Sequence, residues 1–172
     1  MSFFPDIVLP DVFALNAQML KARGVNLLLL DLDNTLSTYS EHLPSEKILS
    51  WMQGLKQEGI DLYILSNNRS PQRVERYAEV CEIPYVARAK KPNPAAIFRI
   101  MEALDRKPEE TALMGDQIFT DGRAAKRAGI LAIVVRPIRM GNIFFLARYG
   151  IELPFRRRGK KAGIEAQRKV EQ

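Results

Sequence analysis

Short apolar runs alternate with amphipathic segments along most of this 172-residue sequence. Apolar runs that end in polar or turn residues are typical of buried strands. Five occur, at residues 27–33, 60–65, 84–87, 111–114 and 130–136. Between them, apolar residues recur at helical spacing behind capping residues such as Ser45 and Ser70. This alternation predicts an α/β domain with a doubly wound, mainly parallel five-stranded sheet.

The two ends of the sequence depart from this alternation. Two prolines make residues 1–10 an irregular lead, and Asp11 is placed to cap a helix that runs to about Arg23. Beyond the last predicted strand, the pattern degrades into an aromatic and aliphatic stretch that a run of basic residues follows. We therefore predict a single domain over residues 1–154 and a flexible basic tail over residues 155–172.

Most of the net charge of +6 belongs to that tail. Residues 155–172 hold seven basic and two acidic side chains (7 − 2 = +5), which leaves 26 − 7 = 19 basic and 20 − 2 = 18 acidic residues elsewhere. The one cysteine, Cys81, cannot form an internal disulfide, and no cluster of cysteine and histidine suggests a zinc site. Because nothing resembles a signal peptide or a membrane span, we expect a cytoplasmic protein, at most peripheral to the inner membrane face.

Two acidic residues follow the first apolar run. Asp31 and Asp33 are two positions apart, and such residues point to the same face of an extended strand. Like charges that close are unfavourable unless a cation or a shared proton relieves them. The pair therefore indicates a functional site rather than a surface turn.

Polar side chains also follow the other predicted strands: Ser66, Asn67, Asn68, Lys90, Lys91, Asp116 and Asp121. Ligands of open parallel sheets bind beyond the carboxyl ends of the strands. Carboxylates that suit Mg²⁺, a lysine and a hydroxyl group are what phosphoryl transfer requires. Simpler alternatives stay open at this point, since the lysine doublet can be solvated and Asp121 can be an ordinary acid in a first helical turn.

The four segments resemble, in order, the four motifs of the haloacid dehalogenase (HAD) superfamily. These are DLDNT at residues 31–35, the Ser66-Asn67-Asn68 triplet, Lys91-Pro92, and GDQIFTD at residues 115–121. More narrowly, the lead helix, the Arg73-Val74 pair and AKKP resemble the YqeG family of HAD subfamily IIIA phosphatases. Eukaryotic relatives of that family act as mitochondrial phosphatidylglycerophosphate phosphatases.

The resemblance implies a role for each matching residue. Asp31 would be the nucleophile that forms an aspartyl-phosphate, and Asp33 would protonate the leaving group and then activate water. Ser66 would bind the phosphoryl group and Lys91, chosen over Lys90 because proline follows it, would pair with it. Magnesium would be bound by Asp31, the backbone carbonyl of Asp33 and Asp116, and Asp121, also assigned to the metal site, would orient the lysine or a metal-bound water. The substrate-binding candidates are Asn34, Thr35, Asn67, Asn68 and Arg69, of which Thr35 and Asn67 would also support their loops.

The spacing of the motifs leaves no room for the cap domain that many HAD enzymes carry. Residues 36–60 and 69–90 are too short for one, so we expect an open site that suits a large substrate or one presented at a surface. The implied function is dephosphorylation of phosphatidylglycerophosphate, with contact between the C-terminus and anionic membrane. The alternatives are a soluble phosphatase of a sugar, nucleotide or phosphoprotein, and a non-catalytic partner of RNA or ribosomes, although nucleic acid is not the expected partner.

Overall fold

The computed structural model describes residues 4–139, 146–147 and 149–157. Within them, six strands form one sheet in the order β1-β6-β5-β2-β3-β4, and every neighbouring pair is parallel. The strands are β1 Ile7–Leu9, β2 Leu27–Leu30, β3 Asp61–Leu65, β4 Tyr85–Val86, β5 Thr111–Gly115 and β6 Leu131–Val135. The predicted α/β fold with a parallel sheet is therefore confirmed, with six strands instead of five.

Helices cover both faces of the sheet, which is why β2 is apolar at every position. Leu28 and Leu30 pack into one core cluster, and Leu27 and Leu29 pack into the other. The first cluster takes its helical members from α1 Ala17–Lys21, α2 Glu46–Gln57 and α3 Pro71–Cys81; the second takes them from α4 Ala95–Ala103 and α5 Arg123–Ala128.

The additional strand lies in the segment predicted to be irregular. Ile7–Leu9 is only three residues long and sits at the edge of the sheet beside β6. The Asp6 carboxylate extends this pairing by accepting the Ala132 N–H at 2.8 Å and by forming an ion pair with Lys126. A segment of three apolar residues between prolines is too short to show the alternation of apolar and polar residues that marks a strand. The sequence pattern could therefore not predict this strand, which is stabilised by its pairing with β6.

The predicted N-terminal helix from Asp11 to about Arg23 is wrong as one element. Asp11 does cap a helical turn, but this is a 3-10 turn over Val12–Ala14. Leu15 is extended, and Asn16 then caps α1 by accepting the Met19 N–H at 2.9 Å. The apolar positions fit one helix, but a second capping residue divides the segment.

Residues 36–60 and 69–90 contain α2, and α3 with β4, so no cap domain is inserted in the described part of the chain. Residues 146–147 and 149–157 are helical, and we call them the C-terminal helix. The first residues of the predicted tail, 155–157, belong to this helix; residues 158–172 lie outside the described residues. None of the described helices has both the length and the apolar character needed to cross a membrane.

Candidate active site

The loop after β2 places two carboxylates at the carboxyl edge of the sheet. Three successive backbone N–H groups, those of Thr35, Leu36 and Ser37, donate to the Leu32 carbonyl and turn the chain sharply. Asn34 adopts a φ of 67°, which asparagine tolerates better than most residues. The turn leaves Asp31 and Asp33 buried but at the edge of a cavity of about 230 Å³ that they help to line.

A buried lysine lies between two of the site's carboxylates. The Lys91 Nζ atom is 2.7 Å from Oδ1 of Asp31 and 2.7 Å from Oδ1 of Asp121. Lys91 is 5% exposed, whereas Lys90 is exposed on the surface. The structure thus selects Lys91 from the doublet, as the following proline suggested.

Burial and the neighbouring opposite charge shift the pKa values of Asp31 and Lys91 in opposite directions. Burial raises the pKa of Asp31 to about 6, even though Lys91 lowers it and Asp121 adds to the rise. Burial alone would lower the pKa of Lys91, but Asp121 and Asp31 outweigh it and raise that pKa above its ordinary value. The lysine therefore remains protonated, as a fixed positive charge beside the first carboxylate.

Asp33 is held by a different set of donors. The Asn68 Nδ2 atom donates to Oδ2 of Asp33 at 2.7 Å, and the Arg73 guanidinium forms an ion pair with Oδ1. Arg73 also donates to the carbonyl oxygens of Thr38 and Glu41, at 2.8 and 3.1 Å. Each of the two acids at the end of β2 thus has its own cation, Lys91 for Asp31 and Arg73 for Asp33, which reduces the repulsion between the two carboxylates.

The loop after β3 supports this arrangement through the backbone. The Asn67 side chain accepts the Lys91 N–H at 2.8 Å and donates to the Lys91 carbonyl at 2.9 Å, which fixes the position of the lysine. Ser66 is fully buried, and its hydroxyl oxygen accepts the Asn68 N–H at 3.0 Å. The Asn67 contacts connect the second predicted motif to the third, and the Ser66 contact stabilises the second motif itself.

Three acidic side chains of the described residues could hold a metal ion together. Oxygen atoms from Asp31, Asp116 and Asp121 lie within 4.8 Å of one another, and all three residues are buried. An all-oxygen, carboxylate-rich set suits a hard divalent cation. The Asp33 carboxylate is not a member of this set among the described residues.

The structure brings most of the predicted residues to the same cavity, which is lined by Asp31, Asp33, Tyr39, Asn67, Asn68, Arg69, Lys91, Gln117, Thr120 and Asp121. Four candidates do not line it, and one of them, Asp116, is a buried member of the acidic set described above. Ser66 is buried behind it, and the Thr35 hydroxyl donates to Oδ2 of Asp31 at 3.1 Å as a support. The Asn34 side chain makes two hydrogen bonds of 2.8 Å with the backbone of Arg139, in the segment that follows β6. Its side chain therefore holds this segment and is not directed at a substrate.

Several contributors could not be assigned from sequence. The sequence assigns no role to Arg73, and in the structure its guanidinium forms an ion pair with Asp33. Tyr39, Gln117 and Thr120 line the cavity without belonging to any motif position with a stated role. The resemblance of the Arg73-Val74 pair to the YqeG family was the signal in the sequence for this arginine.

A parallel sheet with carboxylates, a buried lysine and a metal-compatible acidic set at its carboxyl edge defines a hydrolase of the phosphoryl-transfer type. Residues 8–129, more than half of the chain, match the model of the haloacid dehalogenase-like hydrolase family. The chain belongs to this family. The resemblance drawn from the motifs is thereby confirmed.

Known relatives refine this placement. A Bacillus subtilis (strain 168) protein named "Probable phosphatase YqeG" is 32% identical over 142 residues, which are 83% of this chain and 82% of that protein. The 3-deoxy-D-manno-octulosonate 8-phosphate phosphatase from Yersinia pestis superposes with a TM-score of 0.55, at 18% identity over 90% of this chain and 89% of its own. An uncharacterised protein from Listeria monocytogenes serotype 4b also superposes with a TM-score of 0.55. It is 20% identical, and the match covers 64% of this chain and 78% of its own. The structural likenesses concern the fold; the family and the sequence relative identify a phosphatase.

Proposed function

We propose that the protein is a Mg²⁺-dependent phosphomonoesterase that acts through an aspartyl-phosphate on phosphatidylglycerophosphate, a lipid of the membrane surface. The observation that carries the proposal is the position of Asp31, whose carboxylate lies in the cavity 2.7 Å from the Lys91 ammonium. A carboxylate beside a fixed cation is suited to attack phosphorus while the cation stabilises the phosphoryl oxygens.

Asp31, Asp116 and Asp121 would hold the magnesium ion. Their oxygen atoms lie close enough to share one cation, and Mg²⁺ prefers such hard donors. When bound, the ion would neutralise charge on the phosphoryl group and on the carboxylates themselves. Thr35 and Lys91 hydrogen-bond to the two oxygens of Asp31, so these side chains set the orientation of the nucleophile.

Asp33 would move the protons. As an Asp31 oxygen bonds to phosphorus, the ester oxygen departs and receives a proton from Asp33. Asp33 then takes a proton from water, whose oxygen attacks the phosphorus and releases inorganic phosphate and the original Asp31 carboxylate. Asn68 and Arg73 hold Asp33 in the same cavity, and at least one of these contacts must yield while the acid carries its proton.

Two features support a lipid substrate. The cavity lacks an inserted cap in the described residues, so a head group that remains attached to a membrane can reach it. The C-terminal helix exposes Leu146, Ile151 and Leu153, and the basic residues 157–158 and 160–161 lie at its end and beyond it in the sequence. Exposed aliphatic side chains beside basic ones favour contact with an anionic surface, which residues of this charge stabilise by about 1 kcal/mol each.

The chemistry is tested with the full chain and Mg²⁺. Asp31→Asn should abolish phosphate release while the fold is retained, and Asp105→Asn, an exposed control, should not. In Asp33→Asn, slowed breakdown should allow the phosphorylated peptide containing residue 31 to be detected by rapid-quench mass spectrometry. Turnover by Asp31→Asn at the wild-type rate would overturn the covalent step.

The substrate is tested separately by comparing vesicles that contain phosphatidylglycerophosphate with a panel of soluble phosphate esters. The proposal predicts a clear preference for the lipid, and a smaller preference in a chain that ends after residue 157. Efficient cleavage of a soluble ester, with the lipid left intact, would replace the lipid with a soluble sugar, nucleotide or phosphoprotein substrate.

A further inference from the structure

A buried ion pair links the C-terminal helix to the loop after β5. The Arg156 Nη2 atom is 2.8 Å from Oε2 of Glu152, one helical turn earlier. Glu152 is 1% exposed and Arg156 is 5% exposed. Both residues lie beyond the segment 8–129 that matches the family model, in a stretch whose sequence pattern predicted no defined structure.

The pair also makes three hydrogen bonds to the backbone around a candidate metal ligand, Asp116. The Ile118 N–H donates to Oε1 of Glu152 at 3.1 Å. Arg156 donates to the carbonyl oxygen of Asp116, and its Nη1 atom donates to the Val135 carbonyl at 2.9 Å. The two side chains therefore hold the backbone on both sides of residue 117 and tie it to the end of β6.

Aromatic contacts fix the helix at the same loop. The Phe155 ring lies 5.8 Å from the Phe119 ring in an edge-on arrangement, and the Arg156 guanidinium lies 4.6 Å above the Tyr149 ring. These contacts limit the freedom of both Arg156 and the loop. A purely packing role would not require charges here, because apolar side chains of similar volume often stabilise such positions as well or better.

We propose that Glu152 and Arg156 are positioning residues that hold the Asp116 backbone, and through it the acidic set of Asp31, Asp116 and Asp121, in the geometry that binds the divalent cation. The proposal rests on the magnesium site of the proposed function. Groups that orient metal ligands without touching the metal commonly change affinity by about 10–100-fold when they are removed.

The test measures Mg²⁺ binding to the full chain by isothermal titration calorimetry, without substrate. Arg156→Gln should weaken binding by about 10-fold or more, whereas Arg157→Gln, an exposed arginine on the same helix, should bind as the wild type does. Circular dichroism checks that each variant is folded. At saturating Mg²⁺, Arg156→Gln should recover most of its turnover, because its nucleophile and lysine are intact.

If Arg156→Gln does not fold, Arg156→Lys and Glu152→Gln provide the same measurement, since each keeps side-chain length and part of the hydrogen bonding. Weakened Mg²⁺ binding in either folded variant supports the proposal, and wild-type affinity in both overturns it. Wild-type affinity in a folded Arg156→Gln also overturns it. A wild-type chain that binds no Mg²⁺ would overturn the magnesium assignment as well, so the two failures are distinguishable.

Discussion

Lys91 and Asp31, sixty residues apart in the sequence, are joined by a buried ion pair with an Nζ–Oδ1 distance of 2.7 Å. The same Nζ atom is equally close to Asp121. One lysine thus neutralises part of the repulsion in an acidic cluster that would otherwise be costly to bury. Stability and catalysis depend on the same contact.

Replacing the lysine should therefore affect both properties. Lys91→Gln leaves the carboxylates without their cation, and we expect a loss of about 3–5 kcal/mol in unfolding free energy in the presence of EDTA. Turnover should fall by about 10²–10³-fold, as when a donor to the reacting oxygens is removed. Urea unfolding and phosphate release measure the two effects. Lys90→Gln is the matched control, because Lys90 is the exposed neighbour, and equal effects of the two changes would contradict this interpretation.

Gly115 is predicted to be essential because a side chain there would displace Asp121. A Cβ atom at residue 115 would lie 2.6 Å from Cβ of Asp121, well inside normal contact. Gly115→Ala should cost about 1–3 kcal/mol of stability and should lower turnover by about 10²-fold through misplacement of the Asp121–Lys91 contact. Thermal unfolding and steady-state kinetics test both expectations.

The control for this substitution is Gly54→Ala, in the exposed part of α2. Apart from the adjoining backbone of the helix itself, nothing lies within 4 Å of the added Cβ, so we expect a gain of about 0.5–1 kcal/mol in stability and unchanged turnover. A Gly115→Ala protein that is as stable and active as the wild type would show that Asp121 can move without consequence.

Arg73 should matter most for substrates whose leaving group needs a proton. It holds Asp33 and two carbonyl oxygens of residues 38 and 41, so Arg73→Gln should misplace the acid. We expect an alkyl phosphate to lose about 10²-fold or more in turnover, since general acid catalysis contributes about that much. p-Nitrophenyl phosphate, whose leaving group departs without a proton, should lose much less.

Steady-state kinetics on the two esters, with Arg76→Gln as an exposed control on the same helix, tests this expectation. A loss of the same size for both esters would mean that Arg73 acts on the whole site and not through Asp33.

Cys81 provides a pH dependence that is independent of the site. Burial raises the pKa of its thiol from 9.0 to about 11, although Lys56 opposes the rise. The folded state thus holds the proton more tightly than the unfolded state, and stability should fall as pH rises from about 9 to about 11. Over that interval the loss from this residue is about 2–3 kcal/mol.

Urea unfolding at pH 8 and pH 11 can isolate this contribution by comparison with Cys81→Ala, which lacks the thiol. Burial also raises the pKa of Tyr77, but both proteins retain that residue. The free energy of unfolding of the wild type should therefore fall relative to that of Cys81→Ala as pH rises. A constant difference at both pH values would exclude the proposed effect of the thiol.

The central strands and their acids were predictable because each signal is local. Leu27–Leu30 is an unbroken apolar run, and Asp31 and Asp33 follow within three residues. Such a run is readable without knowledge of the partners, because a strand covered on both faces must be apolar throughout. The same holds for β5 and Asp116.

The missed features depend on distant partners. Ile7–Leu9 is a strand only because β6 lies beside it, and Asn34 contacts the backbone of Arg139 across 105 positions. Arg73 reaches Asp33 across 40 positions. Nothing in the local sequence distinguishes such an arginine from a solvated one. The site residues were therefore named more reliably than the residues that hold them in place.

The contact between Arg156 and Asp116 also has a consequence for protein synthesis. Ribosomes add residues in order at about 5–20 per second, so the 40 positions between these partners correspond to a delay of about 2–8 s. For most of that interval a nascent chain already contains every acidic residue of the site but not the arginine proposed to hold the loop. If the arginine positions the metal ligands as proposed, the hydrolase should reach its full affinity for the metal only after its C-terminal helix has been made, so full activity should begin only when synthesis is nearly finished.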